Sequence, residues 1–180
     1  MPVMKGGGSI FLVGMMGAGK TTVGRLLARR LKLRFVDSDR EIESRCGVKI
    51  PVIFEIEGET GFRARESAAI EALAALPGIV LATGGGVVLV ERNRRCLAEH
   101  GTVVYLRAKP EDLYERVRHD RNRPLLAGGD PLAKLRELHE QRDPLYRSVA
   151  DVVLETGTQS VQTLARQLLD RLEAEWKASA

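Results

Sequence analysis

Residues 9–32 combine a short apolar run, a glycine-rich loop and an amphipathic pattern, in that order. The run SIFLV predicts a buried strand, and residues 14–21 fit the pattern G-x4-G-K-[ST]. From residue 19 to residue 32, apolar side chains recur every three or four positions, which predicts a helix. A glycine-rich loop between a strand and a helix can wrap its N–H groups around a phosphate. The segment therefore predicts a P-loop, and with it an α/β fold.

Strands and helices alternate along the rest of the chain. Further strands are predicted at 34–36, 78–83, 102–107 and 151–155, and helices from Pro110 and over 131–148 and 160–177. Residues 40–76 are predicted to be helical and partly irregular, and residues 119–130 to form an Arg- and Gly-rich loop. Five strands separated by helices imply a parallel sheet that is covered on both faces. No repeat or linker divides the chain, so residues 1–180 are expected to form one domain with a flexible tail at 1–8.

Composition and charge limit the partners of the chain. It has 180 residues, of which 44% are hydrophobic and 29% charged, the balance of an ordinary globular protein. The net charge of +4 comes with arginines scattered in short clusters, and only 4% of the residues are aromatic. Few side chains are therefore available to stack on bases, which favours small anionic ligands over nucleic acid.

Cysteine usage and hydropathy indicate the compartment. Cys46 and Cys96 form no CxxC pair and have no histidine at metal-binding spacing, which is typical of reduced cysteines in a cytoplasmic protein. The apolar stretch 10–16 resembles a short signal peptide, but its removal would destroy the P-loop. No segment reaches membrane-spanning length. We therefore expect a cytoplasmic protein that binds no membrane.

The P-loop residues have predicted roles in nucleotide binding. Lys20 can reach the β- and γ-phosphates, and the Thr21 hydroxyl can contact Mg²⁺. The predicted nucleotide site is completed by Gly17, Ala18, Gly19 and Thr22. The alternative is a glycine-rich turn that binds nothing, and the position of the loop between a strand and a helix argues against it.

An acidic pair, Asp37 and Asp39, follows the second predicted strand. The chain has no N-K-x-D stretch to read guanine and no apolar run closed by an aspartate, so neither a GTPase nor a motor-like ATPase is favoured. In an extended segment residues i and i+2 share a face, so both carboxylates are expected to point into the crevice at the carboxyl ends of the strands. Asp37 is predicted to orient Mg²⁺ through water, and Asp39 to accept a hydrogen bond from an acceptor hydroxyl. The alternative is that Asp39 merely caps a helix that begins at Arg40.

Six segments together resemble the shikimate kinase family: GMMGAGKTTVG, FVDSD, IFEIEGETGFRARE, LATGGGVV, RPLL and RDPLYRSVAD. They occur in the order of the family and cover nearly the whole chain. The resemblance implies the fold of nucleoside monophosphate kinases, a five-stranded parallel sheet with the first strand central and a mobile lid at about 119–130. It also implies transfer of the γ-phosphate of ATP, with Mg²⁺, to the 3-hydroxyl of shikimate in aromatic amino acid biosynthesis. The expected partners are shikimate and ATP, and we expect a monomer.

The resemblance assigns two arginines to the acceptor carboxylate. Arg63 and Arg142 would bind it, a task for which a planar guanidinium is suited, and Glu66 would hold Arg63 in position. Without the family, Arg63 and Glu66 would be interpreted as a solvated surface pair. Arg142 would equally fit an exposed helix arginine.

The acceptor ring is assigned to two further groups of residues. The resemblance implies that N–H groups of Gly84, Gly85 and Gly86 meet the ring hydroxyls, and that Phe54 and Phe62 pack against the ring. The alternatives are a tight turn for the glycines and core filling for the phenylalanines. Three consecutive glycines cost conformational entropy that a turn does not require, which favours a site.

On the nucleotide side, the resemblance makes Arg123 the lid arginine that reaches the transferring phosphoryl group on closure. The catalytic residues would then be Lys20, Asp39 and Arg123. Arg116, on the helix that enters the lid, would cover adenine, and Gln159 would lie where the family touches the adenine edge. Many relatives have a proline where Val161 stands, a departure from the family pattern.

Three other functions remain open from the residues alone. A sugar-acid kinase, such as a gluconate kinase, shares the loop, the fold and the need to bind a carboxylate. A nucleotide-binding regulatory or scaffold protein is expected to lose Asp39, Arg63 or Arg123, and all three are present. A basic nucleic-acid-binding module has no charged patch to support it.

Overall fold

The computed structural model describes residues 5–119 and 128–180. Within them, five strands form one parallel sheet in the order β2-β3-β1-β4-β5. The strands are β1 (Ile10–Val13), β2 (Arg34–Asp37), β3 (Ile79–Ala82), β4 (Thr102–Arg107) and β5 (Val152–Glu155). The predicted parallel sheet with the first strand central is confirmed.

Seven α-helices accompany these strands in the described residues. They are α1 (Lys20–Leu31), α2 (Ser38–Cys46), α3 (Ile50–Ala74), α4 (Glu91–His100), α5 (Pro110–Val117), α6 (Pro131–Val149) and α7 (Val161–Ala178). Every residue of β1 and β3 is buried, since helices cover both faces of the sheet. In register, Leu12 lies between Ala82 of β3 and Val104 of β4. Continuous apolar runs thus become the central strands.

Helix α2 begins at Ser38, two residues before the predicted start at Arg40. The side chain of Asp37 accepts hydrogen bonds from the N–H groups of Asp39 (3.0 Å) and Arg40 (3.3 Å). Asp37 is therefore the N-cap of the helix, because its carboxylate satisfies N–H groups that have no partner within the helix.

The stretch predicted as helical and partly irregular consists of two helices, α2 and α3. Gly58 interrupts α3 with a left-handed φ of 70° and a ψ of −177°, values that only glycine adopts readily. Helix α4 was not predicted, since its sequence ERNRRCLAEH is almost entirely polar. Of its residues, only Asn93 and Leu97 are buried.

The last helix, α7, packs against α1 and β5 and contacts the start of β4 near its C-terminal end. Trp176, the only tryptophan of the chain, is buried in α7 and donates its indole N–H to Oγ1 of Thr102 at 3.3 Å. Thr102 is the first residue of β4. In the described residues, no helix is both long and apolar enough to cross a membrane.

Two predicted segments fall partly outside the described residues. Residues 1–4 of the predicted tail lie outside them, and Lys5–Gly8 form a short 3-10 helix. Residues 120–127 of the predicted lid also lie outside them. The lid therefore stays a prediction.

Candidate active site

Two adjoining cavities lie at the carboxyl ends of the strands. The loop cavity, of about 350 Å³, is lined by the P-loop and Arg116. The arginine cavity, of about 420 Å³, is lined by Phe54, Phe62, Arg63, Glu66 and Arg142 among others. Both are lined by Met16, Thr21, Asp37, Asp39, Gly84 and Gly85. A phosphate chain in the first cavity would thus lie next to a small molecule in the second.

The P-loop has the backbone geometry that its glycines allow. Gly17 and Gly19 have φ values of 81° and 95°, in the left-handed region that other residues rarely adopt. Lys20, which is buried, donates from Nζ to the carbonyl oxygens of Gly14 (2.6 Å) and Met15 (2.8 Å). The ammonium group therefore lies inside the curve of the loop, at the place where the sequence predicts phosphate binding.

Thr21 and Asp37 form the predicted metal pair. Oγ1 of Thr21 donates to Oδ2 of Asp37 at 3.0 Å, and both residues line both cavities. A hydroxyl and a carboxylate are hard oxygen ligands of the kind that Mg²⁺ prefers, with phosphate oxygens and water completing its shell. No cluster of three His, Cys, Asp or Glu side chains suited to a metal occurs in residues 5–119 and 128–180. This donor set fits a magnesium ion that takes most of its ligands from a nucleotide.

Asp39 lines the cavities as predicted, but from a helix and not from an extended segment. The pair was expected to share one face of an extended segment, and this expectation is wrong, because Asp39 lies in the first turn of α2. Asp37 ends β2 and caps the helix, so the turn from strand to helix brings both carboxylates to the cavities. Asp39 is therefore not the N-cap of α2, and it lies where the two cavities adjoin.

Arg63 and Glu66 form an inward-facing pair. Nη1 of Arg63 donates to Oε1 of Glu66 at 2.8 Å, and Nη2 donates to Oε1 of Glu59 at 3.2 Å. The Glu66 side chain is fully buried and that of Arg63 is 13% exposed, so the alternative of a solvated surface pair is wrong. Burial raises the pKa of Glu66 from 4.5 to about 6, although the Arg63 guanidinium beside it acts in the opposite direction.

Arg142 is buried in α6, with 2% of its surface exposed, so the alternative of an exposed helix arginine is also wrong. Among the described residues, Nε and Nη1 of Arg142 and Nε of Arg63 have no hydrogen-bond acceptor. A buried guanidinium with unused donors is costly unless an anion fills its site. The two arginines that line the arginine cavity can therefore bind a carboxylate together.

The glycine loop, Gly84 to Gly86, passes between these charged groups. A Cβ atom on Gly84 would lie 2.8 Å from Oδ1 of Asp39 and 2.9 Å from Oε2 of Glu66. A Cβ atom on Gly86 would lie only 2.2 Å from Nη2 of Arg63. The N–H of Val87 donates to the carbonyl oxygen of Gly84 at 3.2 Å, so the segment is also a turn. The glycines are needed chiefly because the functional side chains approach their backbone closely.

Phe54 and Phe62 both line the arginine cavity, with ring centroids 4.9 Å apart. Phe62 is buried in a small apolar cluster with Ile42, Ile53 and Ala69, so core filling is part of its role. Their contact with an acceptor ring stays a prediction.

Arg116 bridges the P-loop and the loop that follows β5. It donates from Nη1 to the carbonyl oxygen of Gly17 (3.1 Å) and from Nη2 to that of Gly157 (2.8 Å). Oε1 of Gln159 accepts from the N–H of Gly157 at 2.6 Å, so this side chain braces its own loop. The predicted adenine contacts of Arg116 and Gln159 remain predictions. Arg123 lies outside the described residues.

Two buried residues that contact the glycine loop were not predicted. The N–H of Gly84 donates to Oγ of Ser38 at 3.1 Å, and the Tyr146 hydroxyl donates to the carbonyl oxygen of Gly85. Tyr146 follows Arg142 by four residues in a helix, so the two share a face, and this spacing was the available signal. Nothing in the sequence indicates the contact of Ser38.

Comparison with known proteins gives consistent matches. The shikimate kinase family model matches residues 16–173. Shikimate kinases of Thiobacillus denitrificans and Ralstonia nicotianae are 62% and 61% identical over 165 residues, which cover 92% of this chain and 90% and 87% of theirs. A gluconokinase structure from Sinorhizobium meliloti is 18% identical, covers 97% of this chain and 96% of its own, and has a TM-score of 0.62, which shows a shared fold alone.

Among solved structures, the shikimate kinase of Acinetobacter baumannii in complex with shikimate is 48% identical. It has a TM-score of 0.91 and covers 93% of both chains. The matched region of the family model includes Lys20, Arg63 and Arg142. Because the family model and these relatives match most of the chain, the chain belongs to the shikimate kinase family.

Proposed function

We propose that the chain transfers the γ-phosphate of ATP to the 3-hydroxyl of shikimate, giving shikimate 3-phosphate and ADP in aromatic amino acid biosynthesis. Phosphorylation of shikimate with ATP follows from membership of the family. The observation that carries the proposal for this chain is the pair of inward-facing arginines beside the P-loop. Arg63 and Arg142 line one cavity, and that cavity adjoins the one lined by Lys20.

ATP would lie along the P-loop. The backbone of Gly17, Ala18 and Gly19 and the side chain of Thr22 would surround its phosphates, and Lys20 and Arg123 would neutralise charge on the β- and γ-phosphates. Arg116 and Gln159 would contact the adenosine part. Gly17, Gly19, Lys20, Thr22 and Arg116 line the loop cavity, which supports their assignments. The assignment of Ala18 rests on the P-loop pattern, and those of Gln159 and Arg123 rest on the resemblance.

Thr21 and Asp37 would hold Mg²⁺, Asp37 through a bound water. Bound magnesium supplies charge neutralisation and orientation of the phosphate oxygens. The support is the 3.0 Å hydrogen bond that already places the two oxygens together beside Lys20.

Shikimate would lie in the arginine cavity. Arg63 and Arg142 would bind its carboxylate, Phe54 and Phe62 would contact its ring, and the glycine loop would hold its hydroxyls. Asp39, at the junction of the cavities, would orient the 3-hydroxyl. The hydroxyl oxygen forms the new bond to the γ-phosphorus, the bond from that phosphorus to the bridging oxygen breaks, and the proton passes to the Asp39 carboxylate. Positioning and charge neutralisation therefore account for most of the catalysis.

We also propose that the enzyme is a cytoplasmic monomer without a nucleic-acid or membrane partner. The support for a monomer is that one chain lines both cavities. Sedimentation of the purified protein at micromolar concentration tests the monomer, and a dimer with altered turnover on dilution would contradict it.

A coupled assay of ADP release tests the function directly. We expect rapid release with shikimate, none above background with gluconate or AMP, and loss of activity when EDTA removes Mg²⁺. Turnover of gluconate or AMP without turnover of shikimate would overturn the proposal. Unchanged activity in EDTA would overturn the metal assignment alone.

A further inference from the structure

The glycine loop is held from two sides by buried hydroxyl groups. Ser38, in the first turn of α2, accepts the N–H of Gly84 at 3.1 Å, and Tyr146, in α6, donates to the carbonyl oxygen of Gly85. Ser38 and Tyr146 are both fully buried. The loop therefore has a defined orientation relative to both helices before any acceptor binds.

The hydrogen bond from Tyr146 also fixes the direction of a neighbouring donor. In a trans peptide the carbonyl group and the following N–H point in opposite directions. Since the carbonyl group of Gly85 points toward Tyr146, the N–H of Gly86 points away from it. In the part of the chain that the structure describes, the N–H groups of Gly85 and Gly86 donate to no protein acceptor. Both residues line the arginine cavity.

Tyr146 also relates the loop to Arg142. The two residues lie one turn apart on α6, and a Cβ atom on Gly85 would lie 3.4 Å from Nη1 of Arg142. One helix face thus presents both the proposed carboxylate ligand and the hydroxyl that holds the glycine loop.

We propose that Tyr146 is a positioning residue for acceptor binding, whose hydroxyl directs the Gly86 N–H toward a ring hydroxyl of the acceptor. This inference rests on the proposed function. Tyr146 itself does not touch the acceptor in this proposal. Its hydroxyl acts through the Gly85–Gly86 peptide.

The Tyr146 hydroxyl is suited to this task because it stays a donor. Burial raises the pKa of Tyr146 to about 12, with the Arg142 charge acting in the opposite direction. The hydroxyl therefore keeps its proton over the pH range of a usual kinetic assay.

The test compares Tyr146→Phe with a matched control, Tyr105→Phe. The two rings stack with centroids 4.8 Å apart, and the Tyr105 hydroxyl donates to Oδ1 of Asp143 at 2.7 Å, away from the glycine loop. Each substitution removes one hydroxyl and keeps the ring. For Tyr146→Phe we expect the KM for shikimate to rise about three- to tenfold, with kcat and the KM for ATP within about twofold. Tyr105→Phe should change only the melting temperature.

A second readout separates a positioning role from a general loss of structure. Calorimetric titration of parent and Tyr146→Phe with shikimate and its 3-, 4- and 5-deoxy analogues gives the affinity ratio for each acceptor. We expect the ratio to fall to about one for the analogue that lacks the hydroxyl met by Gly86, and to persist for the other two. Ser38→Ala, which releases the loop from the opposite side, should also raise the KM for shikimate.

Equal ratios for all four acceptors, or no change in shikimate affinity, would overturn the inference. An increase of the shikimate KM in Tyr105→Phe as large as in Tyr146→Phe would also overturn it, since the effect would then be general. Failure of the proposed function is distinguishable, because in that case the parent protein itself would release no ADP with shikimate.

Discussion

Arg63 donates to Glu66 across 2.8 Å, and the carboxylate that receives this bond is completely buried. A buried carboxylate is tolerated when a charged partner and hydrogen bonds compensate for its lost hydration. The two carboxylates also fix the orientation of the guanidinium, since Nη2 of Arg63 donates to Oε1 of Glu59 at 3.2 Å. Arg63 is therefore preorganised, and its ligand need not immobilise a flexible side chain.

Replacing Arg63 by alanine tests the acceptor site. A charge-assisted hydrogen bond contributes about 1.5–3 kcal/mol, so shikimate affinity in Arg63→Ala should fall by roughly one to two orders of magnitude. Affinity for an ATP analogue should barely change. Arg123→Ala should instead lower kcat sharply and leave shikimate binding nearly intact. Calorimetric titration with each ligand, followed by steady-state kinetics, measures both effects.

Arg65→Ala is the matched control for the Arg63 variant. Arg65 lies two residues away and pairs with Glu57 at 2.7 Å on the surface, so its loss should leave both affinities unchanged. Parent-like shikimate binding by Arg63→Ala would place the carboxylate site elsewhere.

Gly86→Ala tests the close contact between the glycine loop and Arg63. Gly86 has a φ of −91°, which any residue adopts, so the backbone is not strained by the substitution. The new Cβ atom would lie 2.2 Å from Nη2 of Arg63 and must displace the guanidinium. We expect shikimate affinity to fall about tenfold or more, and the melting temperature to fall as well, because the buried Glu66 carboxylate loses the position of its partner. The measurement is titration calorimetry beside thermal unfolding.

The same substitution in an Arg63→Ala background provides the control. With the guanidinium absent, Gly86→Ala should add little to the loss of affinity, as expected for two residues in direct contact. Simple additivity of the two losses would show that Gly86 acts independently of Arg63.

Lys20→Ala tests the P-loop. The Lys20 ammonium is expected to contact the phosphates most strongly as charge develops on them, so kcat should fall by about two orders of magnitude or more. The protein should still unfold cooperatively. Lys134→Ala, which removes an exposed lysine that pairs with Glu137 at 3.5 Å, is the control for loss of one positive charge. If Lys20→Ala retained most of the activity, the P-loop would have no catalytic role.

Glu66→Gln tests the ionisation of the buried carboxylate. Because the pKa of Glu66 in the folded protein is raised from 4.5 to about 6, the proton bound by Glu66 stabilises the fold. This contribution is fully present below pH 4.5 and is lost as the pH rises through 6. The free energy of unfolding of the parent, minus that of the variant, should therefore fall by about 2 kcal/mol between pH 4 and pH 7.

Urea denaturation of both proteins at the two pH values gives this difference, in which the contributions of the other ionisable groups cancel. A difference that stays constant with pH would mean that Glu66 has the same pKa in the folded protein as in the unfolded chain. The charges that face Glu66 are those of Arg63, Asp39 and Arg142, and all three are retained in the variant.

Local patterns were sufficient to predict the sheet and the P-loop. The strands IFLV and IVLA are continuous apolar runs, and the P-loop is defined by residue types at fixed spacing. Helix α4 was not predicted, because its apolar residues are few and only Asn93 and Leu97 of its ten residues are buried. The start of α2 was misplaced because the cap is Asp37, the last residue of the preceding strand.

Burial at the site was the part that the sequence could not supply. Without the family, Glu66 was expected at the surface, as charged residues usually are, and Arg142 fitted an exposed helix arginine equally well. Their burial depends on the packing of α3 and α6 around the glycine loop, a contact between segments far apart in the chain. The family resemblance assigned Arg63 and Arg142 to the acceptor carboxylate, and the structure adds that both guanidinium groups have donors without an acceptor among the described residues.

Trp176 lies at the opposite edge of the sheet from both cavities, since Thr102 begins β4 whereas the P-loop, Asp37 and the glycine loop follow strand ends. It is the only indole of the chain, so the intrinsic fluorescence reports the packing of α7 on the sheet. The emission should shift to longer wavelength in urea, as the indole enters water. Saturating ATP or shikimate should leave the spectrum unchanged. Trp176 is thus expected to be a natural optical probe of the folded state that does not respond to the substrates.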